Sequence, residues 1–280
     1  MTGLGAGATL LPSLNTFGRI ISVEEALTPV DVKLKKQMAD IALNAAKSKG
    51  ATYADVRIGR YLNQVVATRD KRVENVANSE SYGLGVRVLA SGSWGFAATN
   101  KLDNDSIAKA AEMAVAIAKG NAKLMSEPVQ LAAQKGFGEV SWKTPIEKNA
   151  FEVPIPEKVD LLLNVNSEAL KGGAKFVSSN LFMVNEQKYF ASTDGSYIDQ
   201  DIHRIWPNFT VTKIDSGSGK FETRNALSAP MGMGYEYLTP KDEEKIKGGP
   251  VTMYKKRYDM FEDVKEATIH VSEKLNAKPV

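Results

Sequence analysis

No cysteine occurs among the 280 residues. Disulfides, thiolate metal sites and cysteine nucleophiles are therefore all excluded, while the redox compartment stays open. Histidine is almost as scarce, with His203 and His270 the only two. Zinc sites usually draw three or four ligands from His, Cys and carboxylates, and neither an H-E-x-x-H nor an H-x-H spacing is present. Long hydrophobic runs are missing too. No later segment has the ~18 uncharged apolar residues needed to span a bilayer, so no membrane span is expected. Charge of one sign is not concentrated: 36 Lys and Arg are interspersed with 33 Asp and Glu, for a net charge of +3. A nucleic-acid partner would need clustered Lys/Arg. The short group Lys255-Lys256-Arg257 reads as a solvated helix entry.

What remains is ordinary globular material, 25% charged and 43% hydrophobic, long enough for one large core or two smaller ones. Residues 1–30 stand apart. The first 18 are small, apolar and uncharged, then polar. Gly3, Gly5 and Gly7 are spaced like a dinucleotide loop, yet no strand precedes them and no amphipathic helix follows. Two readings stand: the remnant of an export signal's apolar region, which places the protein in the periplasm or outside the cell, or a disordered tail on a cytoplasmic protein.

From Asp31 to Lys49 the spacing predicts a helix, with Leu34, Met38, Ile41, Ala42 and Ala45 on one face and Gly50 as its C-terminal stop. The period then changes to two. Alternating runs around Val56–Ile58, Val65–Ala67, Arg72–Asn78, Tyr82–Ala90 and Ser93–Thr99 predict an antiparallel meander, with a tight hairpin across Ala90–Ser93. A second helix is predicted over Asn104–Gly120, where Ile107, Ala111, Ala114, Val115 and Ala118 form a small-residue stripe. Residues 126–155 carry Pro128, Pro145 and Pro154 and read as a connector, with one short strand at Val129–Ala133.

A third helix begins after Pro156, buries Val159, Leu162, Leu163, Val165 and Ala169, and ends at Gly172-Gly173. Strands return at Phe176–Asn185, Lys188–Ser192 and Tyr197–Ile214, with a hairpin turn at Asp194-Gly195. Residues 215–257 read as irregular, and a last helix runs from about Tyr258 to Asn276 with Phe261, Val264, Thr268, Val271 and Leu275 on its apolar stripe. The fold class is α+β, with antiparallel meander sheets, packed helices and two α-β-β-β-like portions. The domain expectation is a signal remnant or disordered tail (1–30), an N-terminal α+β domain (31–125), the connector (126–155) and a middle region with the truncated start of a C-terminal domain (156–280).

Candidate chemistry is sparse. His203 shares a predicted strand face with Asp199 and Asp201, which suits part of a metal site or, more plainly, a cross-strand polar contact on a solvent face. His270 precedes Glu273 by three and reads as a helical polar pair. Ser192, Thr193 and Asp194 fall in a turn, where their side chains bond locally. Gly83 and Gly85 alternate on one strand face and permit close approach by another backbone. Trp94 and Phe96 are two apart, so they share a face and can cover either a core or a bound peptide. No catalytic residue and no metal ligand is assigned.

One stretch goes further. Ala54-Asp55-Val56-Arg57 is followed by Arg72-Val73-Glu74-Asn75, by Gly83-Leu84-Gly85-Val86-Arg87-Val88-Leu89, and by Gly92-Ser93-Trp94-Gly95-Phe96-Ala97-Ala98. This series resembles the N-terminal domain of the TldD/PmbA family. The alanine-rich helix around Ala110–Ala118 and the segment Phe190-Ala191-Ser192-Thr193-Asp194-Gly195 are similar to later elements of that family. The resemblance implies a zinc metallopeptidase, long labelled modulator of DNA gyrase, whose H-E-x-x-x-H motif supplies metal ligands and a general base. It also implies pairing with a PmbA-like (TldE) subunit or with itself as a dimer, around a chamber that admits unfolded peptides such as microcin precursors and antitoxins.

The motif is expected to follow a strand just beyond the helix ending near Leu275, and the chain stops at Val280. The expectation is thus a non-catalytic N-terminal part of a TldD-like peptidase with no cofactor of its own, Gly83, Gly85, Trp94 and Phe96 contributing to peptide binding. The alternative is a metal-free PmbA-like peptide-binding or scaffold subunit. A cut at this point is expected to expose Phe261, Val264 and Val271.

Overall fold

A computed structural model describes residues 28–239, 244–246, 253–255 and 257–277. Among the described residues the helices are α1 (Val32–Ser48), α2 (Asn104–Asn121), α3 (Ile155–Lys171) and α4 (Met260–Asn276). The strands are β1 (Tyr53–Arg69), β2 (Arg72–Ala90), β3 (Ser93–Thr99), β4 (Gly138–Lys143), β5 (Phe176–Ser192), β6 (Ser196–Ile214) and β7 (Phe221–Asn225). A separate small pair follows, β8 (Glu244–Ile246) and β9 (Met253–Lys255).

The main sheet is antiparallel and runs β3-β2-β1-β5-β6-β4, with β7 also paired to β6. Helix–strand–strand–strand–helix therefore occurs twice, as α1-β1-β2-β3-α2 and α3-β5-β6-β7-α4, with an inner pair β1 and β5. The two α-β-β-β portions expected from the sequence are both present. The alternating runs merge into strands of 17 to 19 residues. Two sequence expectations fail here. Residues 129–133 are not a strand, and the connector's strand is instead β4, starting at Gly138, whose positive φ of 68° lets the backbone turn into it. Within residues 215–257, β7 and a 3₁₀ turn at Tyr235–Leu238 replace part of the irregular stretch.

The chain divides into two compact units, one built from residues 1–59, 81–141 and 188–199, the other from 60–80, 142–187 and 200–280. In the first, α1 and α2 bury Met38, Ala42, Ile107, Ala111, Ala114 and Ala118 against Ala54, Val56, Ile58, Val86, Val88 and Ala97 of the sheet. Asp31 caps α1, accepting from the Lys33 N–H at 2.8 Å, and Asp103 caps α2, accepting from the Ser106 N–H at 2.8 Å. The Ser91-Gly92 hairpin has both φ values positive, 52° and 76°, as a tight two-residue turn demands. At the Asp194-Gly195 turn only Gly195 is left-handed, with φ 84°.

In the second unit, α3 and α4 cover Val66, Val177, Leu181, Met183, Ile205, Phe209 and Val211. Val264 and Val271 are fully buried and Phe261 is half-buried. The expected exposed stripe is thus absent, because α3 and β7 of this same chain supply its cover. Arg257 is likewise no solvated group: its guanidinium donates to the Glu236 and Thr239 carbonyls and pairs with Glu147 at 2.9 Å. Lys255 and Lys256 have side chains outside the described residues.

Two polar side chains of α3 are buried alongside Leu162, Val165 and Ala169. Asn166 on α3 donates to Thr68 Oγ1 and the Asp70 carbonyl, both at 3.0 Å, and accepts from Ser179 Oγ at 2.8 Å. Lys158, fully buried on the same helix, has Gln64 Oε1 as its hydrogen-bond acceptor. Burial disfavours the ammonium form and pushes its pKa from 10.5 down to about 8.

A native state that releases the Lys158 proton near pH 8, against an unfolded chain that holds it to 10.5, gains stability from this group as pH rises between those values. Below pH 8 the full penalty, on the order of 3 kcal/mol, is present. Lys158→Met is expected to flatten that rise in urea denaturation curves taken across pH 8–10, relative to the unaltered chain. Parallel stability–pH curves for the two proteins would refute it.

Candidate functional site

The helices of the first unit cover one face of its strands and leave the other open. Arg57, Phe96 and Ala98 are exposed there, and Tyr53, Gly85, Arg87 and Trp94 are half-buried. Register places these side chains together: Arg87 lies opposite Phe96, Leu89 opposite Trp94 and Gly85 opposite Ala98. β3 lies at the end of the strand order, so its outer backbone edge has no partner strand among the described residues.

All four residues expected to contact peptide lie on or beside this patch. Phe96 is 57% exposed, and neither it nor Trp94 belongs to the core. The two aromatics share a face, and it is the face away from the helices. Gly85 departs from the expectation of close approach by another backbone. A Cβ there would come within 3.0 Å of the Phe96 ring, so the missing side chain is the seat of that ring. At Gly83 the near neighbour is backbone, with the Thr99 carbonyl 3.2 Å from a notional Cβ.

Sequence reasoning missed the charged centre of the patch. The Asp55 side chain is completely buried, although it projects to the open side of β1. Arg87 grips one of its oxygens through Nε at 2.8 Å and Nη2 at 2.6 Å, and Arg57 Nη1 stands 3.3 Å from the other. Burial alone would lower the Arg87 pKa, but hydrogen bonding to Asp55 and its charge reverse that and hold it above the ordinary arginine value. The Arg87 guanidinium also lies 4.8 Å from the Trp94 ring centroid, and that of Arg57 5.6 Å from Phe190. Tyr53 meets Trp94 edge-on at 6.0 Å. Its phenol is raised by burial and then by the charges of Asp55 and Asp194. The signal in the sequence was the alternation Asp55-x-Arg57 on one strand and Arg87 on the next, which puts all three on one face.

The remaining candidates resolve as structure. In the second unit, Asn185 Nδ2 donates to Asp201 Oδ1 at 2.6 Å and lies 3.1 Å from His203 Nε2, itself 3.4 Å from the same carboxylate oxygen. Burial works to raise Asp201, and the bonds from His203 and Asn185 outweigh it, leaving its pKa below the usual value. The contact is cross-strand as expected, but its face is not solvent-exposed, since His203 keeps only 13% of its side-chain surface. Asp199 does not join it and pairs instead with Lys35 of α1. Thr193 Oγ1 accepts from the Ala54 N–H at 3.1 Å, tying the turn to β1. His270 is exposed on α4. Among the described residues no three His, Cys, Asp or Glu side chains converge as metal ligands.

Comparison with known proteins bears on this arrangement. Residues 54–118 match domain 1 of the PmbA/TldA metallopeptidases, and residues 148–268 match the central domain of the same family. A metalloprotease of Methanocaldococcus jannaschii is 25% identical over 152 residues, which is 54% of this chain and 34% of that protein. A metalloprotease of Methanothermobacter thermautotrophicus is 25% identical over 197 residues, 69% of this chain and 40% of that one. Among solved structures, a proposed modulator of DNA gyrase from Bacteroides thetaiotaomicron superposes with a TM-score of 0.65 at 15% identity, covering 88% of this chain and 51% of its own. TldE from Thermococcus kodakarensis gives 0.52 at 10% identity, covering 87% and 47%. These superpositions speak for the fold. The chain spans less than half the length of the curated relatives it matches.

Proposed function

The chain belongs to the PmbA/TldD metallopeptidase family, and from that premise we propose that it is the non-catalytic, peptide-holding part of a TldD-like peptidase acting on unfolded peptides. The observation that carries this reading is the open sheet face bearing Trp94 and Phe96. Two aromatic rings and two arginine stems there offer apolar surface to a bound chain. The neighbouring strand edge offers backbone donors and acceptors to an extended chain. In this reading the segment also walls a chamber and pairs with a PmbA/TldE-like subunit or a second copy. Zinc is held by residues of the family's catalytic part. The described residues hold no fitting ligand set, so no step through a metal is assigned to them.

The test is fluorescence anisotropy of a labelled unfolded peptide with the purified full chain. Saturable binding is expected, unaffected by a chelator. Phe96→Ala should weaken it roughly tenfold, as loss of a contacting aromatic anchor does. Absence of saturable binding, or peptide hydrolysis that a chelator abolishes, would overturn the reading.

A further inference from the structure

We infer that Arg57 and Arg87 form a carboxylate-binding subsite on the open face of the first unit, selecting peptides that present an acidic side chain or a free C-terminal carboxylate beside an apolar residue. This deepens the peptide-binding reading and rests on it. Three observations carry it. First, two guanidinium groups share the single buried carboxylate of Asp55, so these three groups together carry one net positive charge. Asp194, in the neighbouring hairpin turn, is the other acid whose charge reaches the cluster through Tyr53.

Second, the guanidinium groups are held in place yet reachable. The Arg57 and Arg87 side chains retain 51% and 41% of their surface, while Asp55 retains none. Asp55, Trp94 and Phe190 restrict their rotamers, so little side-chain freedom remains to be lost when a ligand binds. Nε and Nη2 of Arg87 are committed to Asp55 and its guanidinium also bonds Tyr53, which leaves most of the Arg57 fork as the donor for a second carboxylate.

Third, Phe96 stands directly across from Arg87 with its ring seated over Gly85. A peptide carboxylate on the arginines therefore places an adjacent side chain against an exposed aromatic surface. Residues of alternating face along an extended peptide lie two apart, so the selected pattern is an acid and an apolar residue at i and i±2.

The experiment compares four labelled octapeptides of one composition: glutamate or glutamine at the central position, each with a free or an amidated C-terminus. The full chain should bind the glutamate or the free-carboxylate peptides roughly fivefold more tightly than the neutral one, a preference that shrinks in high salt. Which of the two sources is preferred identifies the ligand. Arg57→Met keeps the Arg87–Asp55 pair and the stem on Phe190, and it should abolish the preference while the neutral peptide still binds. Equal binding of all four peptides, or a preference that survives Arg57→Met, refutes the subsite while peptide binding itself stands. No binding by any peptide refutes both.

Discussion

Gly95→Val is expected to destabilise the chain by about 3 kcal/mol in urea denaturation followed by circular dichroism. A Cβ at this position would lie 2.0 Å from the Ala114 carbonyl oxygen and 2.6 Å from the Ala118 amide nitrogen, both backbone atoms of α2. Flexible side chains yield to a new methyl group, but a helix backbone does not. Relief requires lifting α2 off β3, which uncovers Ile107, Ala111, Ala114 and Ala118. Phe96, next along β3, points to the opposite face, and Phe96→Ala should leave stability nearly unchanged. A loss below about 1 kcal/mol for Gly95→Val would mean that α2 does not press on β3 as described.

Asp263→Ala is expected to cost about 3–5 kcal/mol, the loss seen when one partner of a buried ion pair is removed. Asp263 Oδ1 lies 2.6 Å from Arg224 Nη1, and each side chain is 8% exposed. Its other oxygen accepts from the Leu227 N–H at 2.8 Å and from the Tyr258 hydroxyl. Truncation strands a guanidinium, an amide and a phenol together inside the second unit. Burial, reinforced by that bond to Asp263, raises the Tyr258 pKa far above its ordinary value, so the phenol stays a donor throughout the accessible range. Asp263→Leu combined with Arg224→Met should recover much of the loss, since replacing both partners leaves neither charge uncompensated. If the single and double variants unfold at the same denaturant concentration, the pair is not the source of the effect.

These two sites also mark where the sequence could be read and where it could not. Helix positions and hairpin turns are written locally, in Gly50, Gly92 and Gly195, and so were legible. The buried faces of the helices were less so. α1 turns Lys35, Met38, Ala39, Ala42, Leu43 and Ala46 inward; Met38 and Ala42 belong to the expected set, while Leu34, Ile41 and Ala45 are only partly buried against the core. A lysine breaks the apolar count unless its partner is known, and Asp199 lies 164 residues away. Lys158 and Gln64 are 94 residues apart, and Asp263 and Arg224 are 39 apart. In each case a polar residue is buried because a distant one satisfies it. The site divides the same way. Trp94 and Phe96 were visible as a pair at strand spacing, but which face they occupy depends on which side α2 covers. The Asp55–Arg87 contact needed the pairing of β1 with β2.

The order of the strands bears finally on how fast the molecule can assemble. β1, β2 and β3 pair across short turns, and so do β5, β6 and β7. The join between β1 and β5 is of another kind: the Thr193 N–H reaches the Ala54 carbonyl at 2.9 Å, and the Asp70 N–H reaches that of Val177 at 2.8 Å. Each contact closes a loop of more than 100 residues, an entropic cost met before the central strands return any of it. The inner seam of the sheet is therefore expected to be the slow step of folding. Until it closes, each meander holds a long unpaired edge exposed to other chains.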